Sequence, residues 1–493
     1  MGADLLIRGG TTIEAGREPV RSDVLMRDGV IERVDASIAD AGVPLLDASG
    51  GYVLPGLINA HYHSAENFNP GLYENLPLDL WFIHSHQVTR AEPPSREAIY
   101  ARTMLGAMLM LRNGVSCCVD FLFEAPEITL ETLEPVVEAY RDAGMRATIL
   151  LGVTDKTFAD SLPLTDAERE QWSDEVQPPS LERIKPLATA AVDRWHEPDG
   201  LIQIGMGPSA PQRCSDELMA WSLDLCRSRG LAWQTHVQET KTQAMTAREW
   251  HDGSSFVELL AERGQLDETT TLVHTVWLSE RDIELMTKHG TSTVHCPASN
   301  LRLGDGIAPV PALLRAGINV ALGTDGRGCD EPLDVLELAR LSTLLNKARG
   351  DDHHEWLSAH QCFGMATVKG SVPAGRGDTL GRIEPGAKAD LIVIPGDVPA
   401  LAPMHDPLRQ LVLGGSGGDV RDVVVEGEVV VRNRALTRVD EAKMMESARR
   451  YAEAEFSAVP VGDEAALRLE SLLSGLMERT RAYDLDVDAY IPA

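Results

Sequence analysis

The run Gly51 to Glu66, GYVLPGLINAHYHSAE, places His61 and His63 two residues apart at the end of an apolar, β-branched stretch. Side chains two apart on a strand project to one face, so both imidazoles can grip a single metal ion. That pattern alone does not decide the matter. Fourteen histidines are spread over 493 residues, and a second pair with the same spacing, His84 and His86, shows that such pairs arise without a ligand role.

Later segments each add one suitable group at the end of an apolar run. His236 is the penultimate residue of LAWQTHV, His274 that of TTLVHT, and Asp325 follows INVALGT in the segment LGTDG. Three of these four imidazoles with the carboxylate make a hard-to-borderline donor set suited to Zn²⁺ or Fe²⁺, with a position left for water. Glu239, in the run His236-Val237-Gln238-Glu239, falls beside a candidate ligand, where a carboxylate can pass a proton from water to a leaving group. Taken alone, a solvated loop acid is the readier reading of Glu239.

These groups meet only if the fold brings strand ends together. Apolar strand candidates fall at 53–61, 115–121, 146–153, 201–207, 231–237, 270–275, 292–296 and 318–324, with helical segments between them. One such helix, 95–112, is stopped by Asn113-Gly114. Eight strands with helical crossovers indicate an α/β fold, a distorted (β/α)8 TIM barrel whose active groups sit at the carboxyl ends of the strands. Short β runs before residue 55 and again at 389–395 and 420–433, the latter turning at Glu426-Gly427, suggest a small β-sandwich domain built from both termini. The expected division is 1–55 and 388–438 for the sandwich, 56–387 for the barrel, and 439–493 for a helical tail. Leu469, Leu472, Leu473 and Leu476 share one face of that tail, which suits packing on the barrel or on a second subunit.

Composition narrows the partners. With 75 acidic against 45 basic residues the formal charge is −30, which repels nucleic-acid phosphates and anionic membranes alike. Neutral or cationic small molecules are the expected partners, although such a charge also serves solubility. The seven cysteines form no CxxC pair, which fits a reducing compartment. The opening MGADLLIRGG has no signal-peptide pattern and no apolar run reaches about 18 residues, so a cytoplasmic location is expected.

The segments PGLINAHYH, LRNGVSCCVD, HVQET, HTVWLS, HCPASNLRLGDGIAPV, LGTDG and GRIEPGAKADLIVI, in this order and spacing, resemble the amidohydrolase superfamily. Within it they are similar to the group of deaminases and chlorohydrolases that includes adenosine-type, guanine and triazine-degrading enzymes. The resemblance covers nearly the whole chain. It implies that His61, His63, His236 and Asp325 bind one metal ion, that Glu239 is the proton shuttle, and that His274 orients the water or polarises the substrate. Asp325 would additionally accept a proton from the attacking water. His295 and Asn300 lie in a family motif at the rim, where packing is the safer assignment for His295 and a substrate contact is expected of Asn300. Two-metal relatives carry a carboxylated lysine at the end of strand four. LIQIGMGPSA has no lysine, so one ion, Zn²⁺ before Fe²⁺, is expected.

The implied activity is hydrolytic removal of an amino group from a nitrogen heterocycle, by a homodimer or larger assembly. Two departures bear on the substrate. After Asp325 this chain runs Gly326-Arg327-Gly328-Cys329-Asp330-Glu331 instead of a small residue and paired asparagines, and Arg90 stands where nucleoside deaminases tend to place a ribose-binding glutamate. Both keep open a rival reaction, hydrolysis of a C–Cl, urea or carbamate bond. A third possibility, a non-catalytic assembly protein on the same fold, is disfavoured by the full ligand set. Substrate contacts are expected from the long loop after the first strand, through Trp81, Phe82, His84, His86 and Arg90. Its aromatics, Phe68 and Tyr73 included, either stack on a planar ring or anchor the loop.

Overall fold

Strands buried on both faces read as continuous apolar runs, and eight such runs build a parallel sheet here. They are Leu57–Tyr62 (β1), Val115–Leu122 (β2), Arg146–Val153 (β3), Ile202–Pro208 (β4), Trp233–Val237 (β5), Thr270–His274 (β6), Ser292–His295 (β7) and Val320–Leu322 (β8). Each pairs in parallel with the next, in sequence order. The computed structural model describes residues 2–39, 42–85, 92–172, 176–348, 352–458, 464–487 and 489.

Side chains help bring β8 back to β1. Asn59 Nδ2 donates to Thr324 Oγ1 at 2.7 Å and Asn59 Oδ1 accepts from the Thr324 N–H at 3.0 Å. The Asp325 N–H then donates to the His61 carbonyl at 3.0 Å. The nearly closed TIM-like barrel therefore sets Asp325 beside His61, although most of the chain separates them.

The expected strand 53–61 is two strands in two sheets. Tyr52–Pro55 runs antiparallel to Leu391–Ile394, and after Gly56 the chain enters β1. The Gly56 N–H still donates to the Asp390 carbonyl at 2.8 Å, and the Leu57 N–H then donates to the Gly114 carbonyl at 3.0 Å, so the change of sheet falls between residues 56 and 57. The first of these sheets has nine strands drawn from both termini, and Tyr52–Pro55 with Leu391–Ile394 is the seam between the two ends. Leu5, Ile7, Val24, Met26, Ile31, Leu391, Val393 and Val424 fill its core. The hairpin at Glu426-Gly427 joins Asp422–Val425 to Glu428–Arg432 as expected.

Helices between the barrel strands carry their own stop signals. In Arg96–Arg112 the Ser95 side chain accepts from the Ala98 N–H, and Gly114 adopts a left-handed φ of +84° just past the end. The tail forms helices Glu441–Ala458 and Glu464–Ala482. Leu469, Leu473 and Leu476 are fully buried against Ile83, Phe158, Leu162 and Met245 of the same chain. At about 1.5–3 kcal/mol per buried leucine, this docking fixes the loop that carries Trp81 and Phe82 over the barrel mouth. Among the described residues, no helix is long and apolar enough to cross a membrane.

Candidate active site

The carboxyl ends of β1, β5, β6 and β8 deliver their chemistry to one point. Donor atoms of His61, His63 and His236, and of His61, His274 and Asp325, lie within 4.8 Å of one another in each set, and all five side chains are buried. His61 lies within β1, and His63 continues it in extended conformation (φ −126°, ψ 101°), so the two imidazoles share a face. Tyr62 between them is buried on the other side, where its hydroxyl accepts from Asn67.

Neighbouring acceptors fix which ring nitrogen carries the proton. His63 Nδ1 lies 2.6 Å from the Phe121 carbonyl and His236 Nδ1 lies 2.7 Å from the Ser209 carbonyl; carbonyls only accept, so both Nδ1 atoms donate. His61 Nδ1 meets Gln234 Oε1 at 3.1 Å, and the amide is oriented by Gln234 Nε2 donating to the Ala60 carbonyl. In His61 and His236 this turns Nε2 lone pairs toward each other at 3.2 Å. Burial pushes both imidazoles well below their ordinary pKa, so both are neutral. Two lone pairs facing at that distance repel unless a cation lies between them, and the donor set fits a divalent metal on that ground.

Asp325 completes the set. Its Oδ1 lies 3.0 Å from His63 Nε2 and 3.6 Å from His61 Nε2, while Oδ2 accepts from Ser299 Oγ at 2.5 Å. Burial opposes its charge, yet the hydrogen bond from His63 holds it well below the usual carboxylate range. For His63, burial acts downward, but the bond and charge of Asp325 raise it to about 9. In the metal-free protein a proton therefore bridges His63 and Asp325.

Glu239 stands to one side of this cluster. Its Oε1 is 3.2 Å from His274 Nε2, and its Oε2 accepts from Gln243 Nε2 at 3.0 Å. Burial raises its pKa, the charge of His274 pulling the other way. His274 is held by Asn300, whose Oδ1 lies 2.8 Å from Nδ1. Gln238, His274 and Asp325 all adopt left-handed φ (+55°, +70° and +62°). Non-glycine residues in that region cost about 1–3 kcal/mol each and persist where surrounding structure imposes them, as at functional sites.

The remaining candidates fall into three groups. Trp81 and Phe82, on the helix Leu78–Ser85, line the cavity above the donors together with Leu78, Phe123 and Arg213. Phe82 also stacks on Phe158 (centroids 4.7 Å apart) and carries the Arg213 guanidinium 4.1 Å over its ring, so it serves both as cavity wall and as loop anchor. His84 points elsewhere, its Nε2 lying 3.4 Å from Glu470 on the tail helix. Asn300 acts on His274 instead of at the rim. His295 is fully enclosed, and burial lowers it to about 3. His86 and Arg90 lie outside the described residues. Sequence reasoning missed Glu66, Phe123 and Arg213 as cavity residues. For Glu66 a signal existed, the one-turn offset of an acid from His63.

The model of the amidohydrolase family matches residues 52–430. The chain belongs to the amidohydrolase family. It is a hydrolase acting on carbon–nitrogen bonds other than peptide bonds. This amidohydrolase is 33% identical over 427 residues to a 5-methylthioadenosine/S-adenosylhomocysteine deaminase of Pyrococcus furiosus, covering 87% of this chain and 94% of that protein. Among solved structures, an adenosine deaminase from Xanthomonas campestris with bound zinc superposes with a TM-score of 0.81 at 27% identity, over 93% of this chain and 99% of that one. A triazine hydrolase from Arthobacter aurescens shares the fold, with a TM-score of 0.82 at 24% identity over 91% and 99%.

Proposed function

We propose that this amidohydrolase is a metal-dependent aminohydrolase that removes an amino group from a nitrogen heterocycle as ammonia. The observation that carries the reading is the pair of neutral imidazoles, His61 and His236, facing lone pair to lone pair with Glu239 and His274 beside them. His61, His63, His236 and Asp325 would hold one divalent cation, with zinc, the ion in the adenosine deaminase neighbour, ahead of iron. When bound, such an ion supplies Lewis-acid activation of water.

The chain's own groups then handle orientation and protons. His274, held by Asn300, presents Nε2 toward the cavity, where it positions the attacking water or polarises the ring. Glu239 takes a proton as water oxygen bonds to the ring carbon, and passes it to nitrogen as the C–N bond breaks. Its burial, which raises its pKa, suits both directions of that transfer. Trp81, Phe82 and Phe123 offer flat apolar walls to a ring and displace water from it.

Ammonia release from the zinc-loaded full chain tests the reading, across 5-methylthioadenosine, S-adenosylhomocysteine, other 6-aminopurines, pterins, pyrimidines and aminotriazines. The expected result is ammonia from at least one of them, and a fall of about 10²–10⁴ in kcat for Glu239→Gln with metal retained. No ammonia from any compound, with turnover of a chlorotriazine or a urea, would overturn it in favour of dechlorination or acyl C–N hydrolysis.

A further inference from the structure

Glu66 has no part in the chemistry just described, yet it is the most conspicuous under-satisfied carboxyl in the cavity. It is only 3% exposed, burial pushes it up to about 8, and no side chain donates to either oxygen, the Gly328 N–H alone bearing on it. It lines the cavity over the donors and also the wider cleft outside. Its backbone is pinned by a turn, its N–H donating to the His63 carbonyl and its carbonyl accepting from the Asn69 N–H. The side chain therefore stands where it does through packing.

That packing explains the unusual segment after Asp325. A Cβ on Gly326 would lie 1.8 Å from Glu66 Oε2, and one on Gly328 would lie 3.2 Å from the same oxygen and 2.9 Å from the Trp81 ring. Any larger residue at 326 would displace the carboxylate. Two glycines thus make room for an acid to which no side chain donates.

A buried carboxylate without donors is costly, and a bound molecule that brings N–H groups or positive charge offsets the cost. In its ionised form it would face a ring carbonyl at the same place lone pair to lone pair. Glu66 reaches the cluster from the His63 side, whereas Glu239 sits against His274. A ring over the donors would therefore meet two carboxylates, one for proton transfer and one for recognition.

We propose that Glu66 is a specificity-determining residue that accepts N–H donors from an amidine- or guanidine-like edge of the substrate, selecting cationic or multiply aminated rings over their oxo counterparts. This rests on reading the cavity above the donors as the substrate site. The acidic charge of the whole chain, −30, acts in the same direction by favouring cations at long range.

The test uses an isosteric pair of probes, benzamidinium and benzamide, which differ in presenting an N–H-rich cation or a neutral amide to Glu66. Calorimetric binding is measured on the zinc-loaded full chain, wild type, Glu66→Gln and Glu66→Asp, with zinc content determined in parallel. Benzamidinium is expected to bind wild type about 10- to 100-fold more tightly than benzamide, the range for hydrogen bonds to a charged group. The preference should collapse in Glu66→Gln and partly survive in Glu66→Asp, with zinc unchanged. Equal binding of the two probes, binding of neither, or a preference untouched in Glu66→Gln overturns the proposal. So does a second zinc per chain that disappears in Glu66→Gln, since Glu66 would then be a ligand. Ammonia release is scored separately: a deaminase with no probe preference loses only this proposal, and a preference without ammonia release from any amine loses only the deaminase reading.

Discussion

Two buried charged clusters lie at opposite ends of the barrel strands, and they are wired differently. At the base, Arg146 begins β3 fully enclosed, its Nε and Nη2 donating to the two oxygens of Asp390 at 3.0 Å each. Its Nη1 reaches Glu426 Oε1 at 3.1 Å and the Gly200 carbonyl at 3.0 Å, and Asp390 Oδ1 also accepts the Glu426 N–H. Charge and hydrogen bonds close on themselves, and the result ties β3 to the sheet built from the chain termini. At the mouth, imidazole lone pairs face each other and Glu66 has no side-chain donor. A closed cluster holds the fold together; an open one leaves polar groups without partners from the chain. This division follows the barrel rule that the carboxyl ends of strands carry function and the amino ends carry stability.

Breaking each cluster should give a different phenotype. Asp325→Ala is expected to lose both the bound metal and measurable turnover while the chain stays folded, checked by metal analysis and circular dichroism; full activity with metal retained would remove Asp325 from the ligand set. Arg146→Met leaves Asp390 buried without its partner and should cost about 3–5 kcal/mol in urea unfolding, with metal content unchanged. An unfolding midpoint equal to wild type would show that the base cluster is not holding the two sheets.

Smaller effects sharpen the contrast at the mouth. Gln234→Leu removes the acceptor that orients His61 and should weaken zinc affinity about 10- to 100-fold without changing the fold, read by competition with a chelator. The last prediction concerns pH. In the metal-free protein His63 is raised to about 9 and holds a proton that a bound metal must displace. Zinc affinity should therefore rise about tenfold per pH unit from 7 toward 9 and level off above it. A flat profile at constant free zinc would mean that no proton is exchanged.

The amino-acid sequence by itself determined the eight apolar strand runs, their order, and the donors that end them, because alternation and β-branched composition are local properties of a chain. It also determined that His61 and His63 share a face, since that follows from a spacing of two. Tertiary structure alone decided that Pro55-Gly56 divides one apolar run between two sheets, that Asn300 supports His274, and that His84 turns to the tail. It alone set Glu66 against Gly326 and Gly328. Most of these contacts join residues hundreds of positions apart, and that of Glu66 depends on the barrel returning β8 to β1. No periodicity records that closure, so the donors were legible from the chain, whereas of Glu66 the chain showed only its offset from His63 and not its place beside Gly326 and Gly328.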